Sequence, residues 1–161
     1  MLVNLGTAIL ASLVIGMFDA TLEEMVALAV LMPIVASMGG NAGTQTLTIT
    51  VRALATKELT PYNTLRTIRK ELVVGLLNGC LFAVLAGLVT IYWFNHLNNS
   101  YLLGLIIAGA MIINLVVAGI AGVALPVLLE KFRVDPAIAS GVFVTTITDV
   151  VGFFAFLSLA S

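Results

Sequence analysis

Long apolar tracts broken by short polar clusters run the whole length of the chain. The tracts are continuous rather than alternating, so they predict helices and not the strands of a β-barrel, whose segments of about 10 residues repeat with period two. A helix rises 1.5 Å per residue, and about 30 Å of hydrocarbon takes roughly 20 apolar residues to cross. On that measure we expect an all-α polytopic membrane protein with five transmembrane helices, at 2–18, 25–51, 72–94, 101–129 and 137–160. The first is short and closes at the acidic turn of Asp19, Glu23 and Glu24. The second is long enough to cross even with a break at Pro33 or Gly39-Gly40. A hydrophilic stretch from Arg52 to Glu71 follows, with Pro61 the expected helix start, and Tyr92-Trp93 ends the third span at headgroup level.

Composition strengthens this reading. Of 161 residues, 61% are hydrophobic and 9% charged, against roughly 25% charged in soluble domains. Too few charges exist to build a wetted surface, so most of the outside must face lipid. The net charge of -1 gives no sign of nucleic-acid binding. Cys80 is the only cysteine, which excludes an internal disulfide and a thiolate metal cluster. Met1–Phe18 lacks the basic flank of a signal peptide and reads as a membrane helix. Its abrupt start is expected of a fragment whose preceding part was soluble, or of an unusually compact protein.

Charge placement then sets an orientation. All seven basic residues (Arg52, Lys57, Arg66, Arg69, Lys70, Lys131 and Arg133) lie in the second-to-third and fourth-to-fifth connections. The positive-inside rule makes those loops cytoplasmic, with the N-terminus inside and the C-terminus outside a cell inner (plasma) membrane. An odd number of spans cannot divide into equal inverted halves. A path between the subunits of a homodimer is the expected alternative.

The polar groups inside the tracts carry the candidate chemistry. Asp149 sits halfway along the fifth span, and no basic residue lies in any span to pair with it. A carboxylate at that depth costs several kcal/mol unless it is hydrated, paired or coordinated. Cation conduction or coupling is one reading of Asp149, and a hydrogen-bonded contact between helices is the other. Thr145 and Thr146 share its helical face and Thr148 adjoins it. In the second span Asn41, Gln45 and Thr48 fall on one face with Thr44 beside them, which suits pore lining or interhelical packing. Oxygen donors without a cysteine pair or histidine cluster favour a hard ion such as Mg2+, often held through its waters by one or two carboxylates.

Other polar groups are less telling. Asn114 and Asn78 read as hydrogen bonds between helices, and Gly104, Gly109, Gly119 and Gly122 as a packing face. His96 reads as an ordinary turn residue. Asp135, ahead of Pro136, suits a helix start or, with Glu130, an inner mouth that attracts cations. No nucleophile–base pair or spaced ligand set suggests an enzyme.

Two stretches carry a resemblance. Pro33-Ile34-Val35-Ala36-Ser37-Met38-Gly39-Gly40-Asn41-Ala42-Gly43-Thr44-Gln45 with Arg52-Ala53-Leu54-Ala55, and Val134-Asp135-Pro136-Ala137 leading into Thr145-Thr146-Ile147-Thr148-Asp149-Val150-Val151-Gly152, resemble the second and fifth helices of the MgtE family of magnesium transporters. The resemblance covers essentially the whole chain. It implies a homodimer with a pore between subunits lined by the second and fifth helices, Asp149 holding hydrated Mg2+, and Asn41 in the pore region. It implies Asp135 as an inner-loop acid that helps bind regulatory Mg2+. It implies passive transport, and cytosolic regulatory domains in full-length relatives that are missing from this sequence. From the residues, a proton- or sodium-coupled divalent cation transporter and a non-conducting membrane assembly module stay open as alternatives.

Overall fold

The computed structural model describes residues 2–60 and 62–161. Pro61, expected as a helix start, and the side chains of residues 137–139 lie outside that description. Six helices follow one another: α1 (Leu2–Gly16), α2 (Asp19–Glu24), α3 (Val26–Ala55), α4 (Thr64–Trp93), α5 (Ser100–Lys131) and α6 (Pro136–Ala160).

Four of the six, α3 to α6, are long and apolar enough to cross a membrane. The expectation of five is corrected at α1. Its 15 residues make about 22 Å of helix, short of the roughly 30 Å hydrocarbon core. Hydropathy extended the tract to Phe18, because Met17 and Phe18 are apolar whether helical or not. In fact they turn the chain, the Phe18 N–H donating to the Ile15 carbonyl at 3.0 Å. The acidic turn beyond is the short helix α2, and α1 packs along α6.

The second tract forms one unbroken helix through Pro33 and Gly39-Gly40. Proline removes a single backbone donor, and here its ring is exposed, so the ladder loses one bond without a gap. Gly39 is covered by Asn114 of α5, while Gly40 only approaches Thr145 of α6, and the helix runs on through both. Thr64 opens α4, so much of the hydrophilic stretch before the third expected span is already helical.

Helix α5 lies at the centre, packed against α3, α4 and α6. Its glycines do not share one face. Gly104 lies against Gly87 of α4, Gly119 against the Glu71 backbone of α4, Gly122 against Gly43 and Thr46 of α3, and Gly109 against Leu159 of α6. On α4, Gly75, Gly79, Ala83 and Gly87 recur every four residues and are all buried. This small-residue stripe lets the α4 and α5 backbones meet. A Cβ added at Gly79 would stand 3.0 Å from Ile112 Cα, and one at Gly75 would stand 2.8 Å from the Leu115 carbonyl oxygen.

Away from the basic loops the interior is filled by Leu28, Leu31 and Val35 of α3, Leu103, Ile107 and Met111 of α5, and Phe156 and Leu157 of α6. Meanwhile Leu77, Leu81, Leu88 and Leu105 are more than half exposed. In lipid such an apolar exterior is solvated, so close packing and hydrogen bonds, rather than water exclusion, hold the helices together. In both basic connections the second residue is left-handed, Lys57 after α3 and Arg133 after α5. After α5 the Arg133 N–H reaches the Glu130 carbonyl at 2.9 Å and the Val134 N–H reaches Leu129 at 2.9 Å. That is the Schellman closure of a helix end, usually made by glycine.

Candidate functional site

Helices α3 and α6 run antiparallel and touch through small residues. A Cβ on Gly43 would meet Val144 Cγ1 at 2.6 Å and Thr148 Cγ2 at 3.5 Å, while one on Gly40 would lie 4.0 Å from Thr145 Cγ2. Four residues further toward the α3 N-terminus, the Asn114 side chain of α5 is wedged between Gly39 and Gly152. Its Nδ2 donates to the Val35 carbonyl at 2.8 Å, which is the interhelical bond expected of it. Its Oδ1 is buried without a hydrogen-bond partner, a cost of about 1–3 kcal/mol. This register brings Asn41 to about the depth of Asp149, one helical turn before Gly152.

The candidate residues divide between open and closed positions. Asn41, Gln45 and Thr48 form an exposed polar stripe on α3, with Ser37 above them and Thr44 half-buried at its edge. On α6, Thr145, Thr146 and Asp149 are half-buried, whereas Thr148 is fully buried in the contact with α3. The threonine hydroxyls donate to their own helix: Thr44 to Gly40 at 2.9 Å, Thr48 to Thr44 at 2.8 Å, Thr145 to Val142 at 3.0 Å, Thr146 to Val142 at 2.6 Å, and Thr148 to Thr145 at 2.9 Å. Asn41 reaches Ser37 Oγ only at 3.5 Å, a weak bond. No hydrogen bond or ion pair to Asp149 forms among the described residues.

Asp135 is exposed ahead of Pro136 at the start of α6, about 21 Å along the helix from Asp149. It belongs to the basic end of the bundle and not to the Asp149 site. Among the described residues no three His, Cys, Asp or Glu side chains gather as a metal centre. One chain therefore brings a single carboxylate, amides and hydroxyls to this face.

Residues 32–159 match the MgtE family, described as a divalent cation transporter. The chain belongs to the MgtE family. It is 34% identical over 148 residues to the magnesium transporter MgtE of Bacillus subtilis, covering 92% of this chain and 32% of that relative. Against the Enterococcus faecalis magnesium transporter MgtE it is 34% identical over 147 residues, with 91% and 32% covered. Against that of Thermus thermophilus it is 35% identical over 154 residues, with 96% and 33% covered. The chain thus spans about a third of the length of these curated relatives. MgtE proteins are transporters and not enzymes, and the matched region runs from within α3 to the penultimate residue of α6, with the candidate residues of both helices.

Sequence reasoning missed a second polar feature of this MgtE domain. The Thr46 hydroxyl donates to Glu71 Oε2 at 3.2 Å, joining α3 to α4. Gln45 and Asn78 open onto the same cleft. Asn78 was expected to bond a neighbouring helix and instead stands exposed on that cleft. Glu71 reads as the last residue of a hydrophilic loop, and its partner lies 25 residues earlier, so nothing local in the sequence signals the pair.

Proposed function

We propose that the chain is the pore-forming membrane domain of a magnesium transporter, and that two copies pass hydrated Mg2+ between them. The observation that carries this reading is the polar stripe Asn41, Gln45, Thr48 exposed on α3 beside Asp149 on α6, which has no hydrogen bond or ion pair among the described residues. Exposed amides and a carboxylate at membrane depth need water or an ion, and three relatives are named magnesium transporters. A two-fold axis beside this face gives the ion two Asp149 carboxylates, enough to hold it through its water shell. Thr44, Thr145 and Thr146 line the same path. Thr148 serves by packing α6 on α3.

In this reading the basic loops face the cytoplasm and the C-terminus lies outside the inner (plasma) membrane. Mg2+ moves passively. The membrane potential supplies roughly 2.3 kcal/mol per charge per 100 mV, doubled for a divalent ion. Asp135 stands at the inner mouth as a candidate regulatory metal ligand, where cytosolic domains of a longer protein would meet the bundle.

The test is Mg2+ flux into liposomes containing purified protein, native against Asp149→Asn, at matched incorporation. The mutant is expected to lose flux at least tenfold while keeping its oligomeric state. Equal flux in both would move the ion path away from α6. Flux that required a proton or sodium gradient would replace passive conduction with coupling.

A further inference from the structure

The cleft between α3, α4 and α5 does not include Asp149 and shares only Gln45 with the polar stripe beside that residue. It has a volume of ≈ 280 Å³ and is lined on its polar side by Gln45, Thr46, Lys70, Glu71 and Asn78. A smaller cleft of ≈ 130 Å³ adjoins it toward the basic loop, sharing Thr46, Ile49, Lys70 and Glu71. Gly75 and Gly119 keep its floor low, since α4 and α5 meet there backbone to backbone. Lys70 and Glu71 are sequence neighbours on a helix, so their side chains diverge by about 100° and do not face each other. Among the described residues Glu71 is bonded by the Thr46 hydroxyl alone, at one of its two oxygens.

Depth decides what such a cleft can meet. Glu71 lies within two turns of the start of α4 and next to three of the basic residues, Arg66, Arg69 and Lys70. This is where phospholipid headgroups lie. Asn78 lies about 10 Å deeper along α4, at the level of hydrocarbon, where an exposed amide is costly. A lone cation would meet Lys70, and a purely anionic headgroup would meet Glu71. A zwitterion suits both: a phosphate for Lys70, an N–H-bearing ammonium for Glu71, and ester carbonyls for the amides of Gln45 and Asn78.

We propose that this cleft is a binding site for the headgroup of an amine-bearing phospholipid, phosphatidylethanolamine, drawn from the leaflet at the basic end of the bundle. The carboxylate accepts hydrogen bonds from a primary ammonium, which the quaternary ammonium of phosphatidylcholine cannot donate. The lipid then bridges α3 to α4 at the point where Thr46 and Glu71 already join them.

The experiment is native mass spectrometry of the purified, delipidated chain titrated with phosphatidylethanolamine, phosphatidylcholine and phosphatidylglycerol of identical acyl chains. Phosphatidylethanolamine is expected to bind tightest, at one molecule per chain. Glu71→Gln should weaken it roughly tenfold, the loss of one charge-assisted bond, and strengthen phosphatidylglycerol, whose anionic headgroup no longer meets a carboxylate. Lys70→Gln should weaken all three, and Asp149→Asn none, so failure here is separate from failure of the ion path. If Glu71→Gln does not fold, Asn78→Leu on the cleft's deep side is the second variant, expected to weaken all three lipids. Equal binding of the three lipids by the native chain would mean ordinary boundary lipid and overturn the proposal. So would competition by millimolar Mg2+ at Glu71 without lipid preference, which would make the cleft a cation site.

Discussion

Asn114 shows how one buried amide can set the geometry of two other helices. Its donor holds the Val35 carbonyl, and glycines on both sides leave it room. A Cβ at Gly152 would come within 2.7 Å of Asn114 Nδ2, so Gly152→Ala must push either the amide or α6. We expect about 1–3 kcal/mol of destabilisation and reduced flux, although no charge changes. Thermal unfolding in detergent, followed by the emission of the single tryptophan, Trp93, measures the first. The double variant Gly152→Ala with Asn114→Ala should recover most of the loss if the clash is the cause. At this scale the sequence was legible for the place of Asp149 inside an apolar helix and for the interhelical bond of Asn114, because a polar residue inside an apolar tract announces itself. It was not legible for Thr148, whose burial depends on which way α3 approaches. Nor was it for Glu71, which looks like a loop residue until α3 lies beside it.

Elements were legible wherever length and hydropathy agreed. Helices α3 to α6 follow the expected tracts, with ends displaced by up to eight residues at Thr64. The disagreement at α1 has a plain cause: hydropathy measures what a residue prefers to touch, not whether its backbone continues as helix. The glycines teach a similar lesson. Their abundance in α5 indicated packing, but their distribution over three neighbours came from the arrangement of whole helices. This yields a graded expectation. Gly79→Leu would force a branched side chain into the Ile112 backbone and should cost about 3 kcal/mol, separating α4 from α5. Gly6→Ala, with nothing within 4 Å of the added carbon, should leave the melting temperature unchanged or slightly raised, since alanine favours helix. If Gly79→Leu melts like the native chain, the backbone contact does not hold these helices.

At the scale of the molecule, one chain leaves a polar face beside Asp149 that lipid cannot solvate. The proposed two-fold assembly covers it, and cross-linking tests that directly. With Cys80, the sole cysteine, replaced by Ala, Asn41→Cys is expected to form a disulfide-linked dimer under mild oxidation in membranes. A cysteine at Leu77, on the lipid-facing side of α4, should not. A reversed pattern would put the subunit contact on α4 and leave the α3 stripe facing elsewhere. Hydropathy could not have revealed such a face, because it scores each tract by its average and not by which side is left uncovered.

The inward-donating threonines have a further consequence. Each of the hydroxyls of Thr44, Thr48, Thr145 and Thr146 has already committed its hydrogen to the backbone of its own helix, so it can offer only lone pairs. Whatever water rests against it must bring its own hydrogens. Water bound to a metal cation does so, because the cation holds the oxygen and turns the hydrogens outward. Water around a halide turns its oxygen outward and receives no hydrogen from these threonines. A proton passing from oxygen to oxygen would need each hydroxyl to release the hydrogen it has committed, so the row cannot serve as a wire. In the proposed path these threonines thus suit a hydrated cation better than an anion, and they form no proton wire.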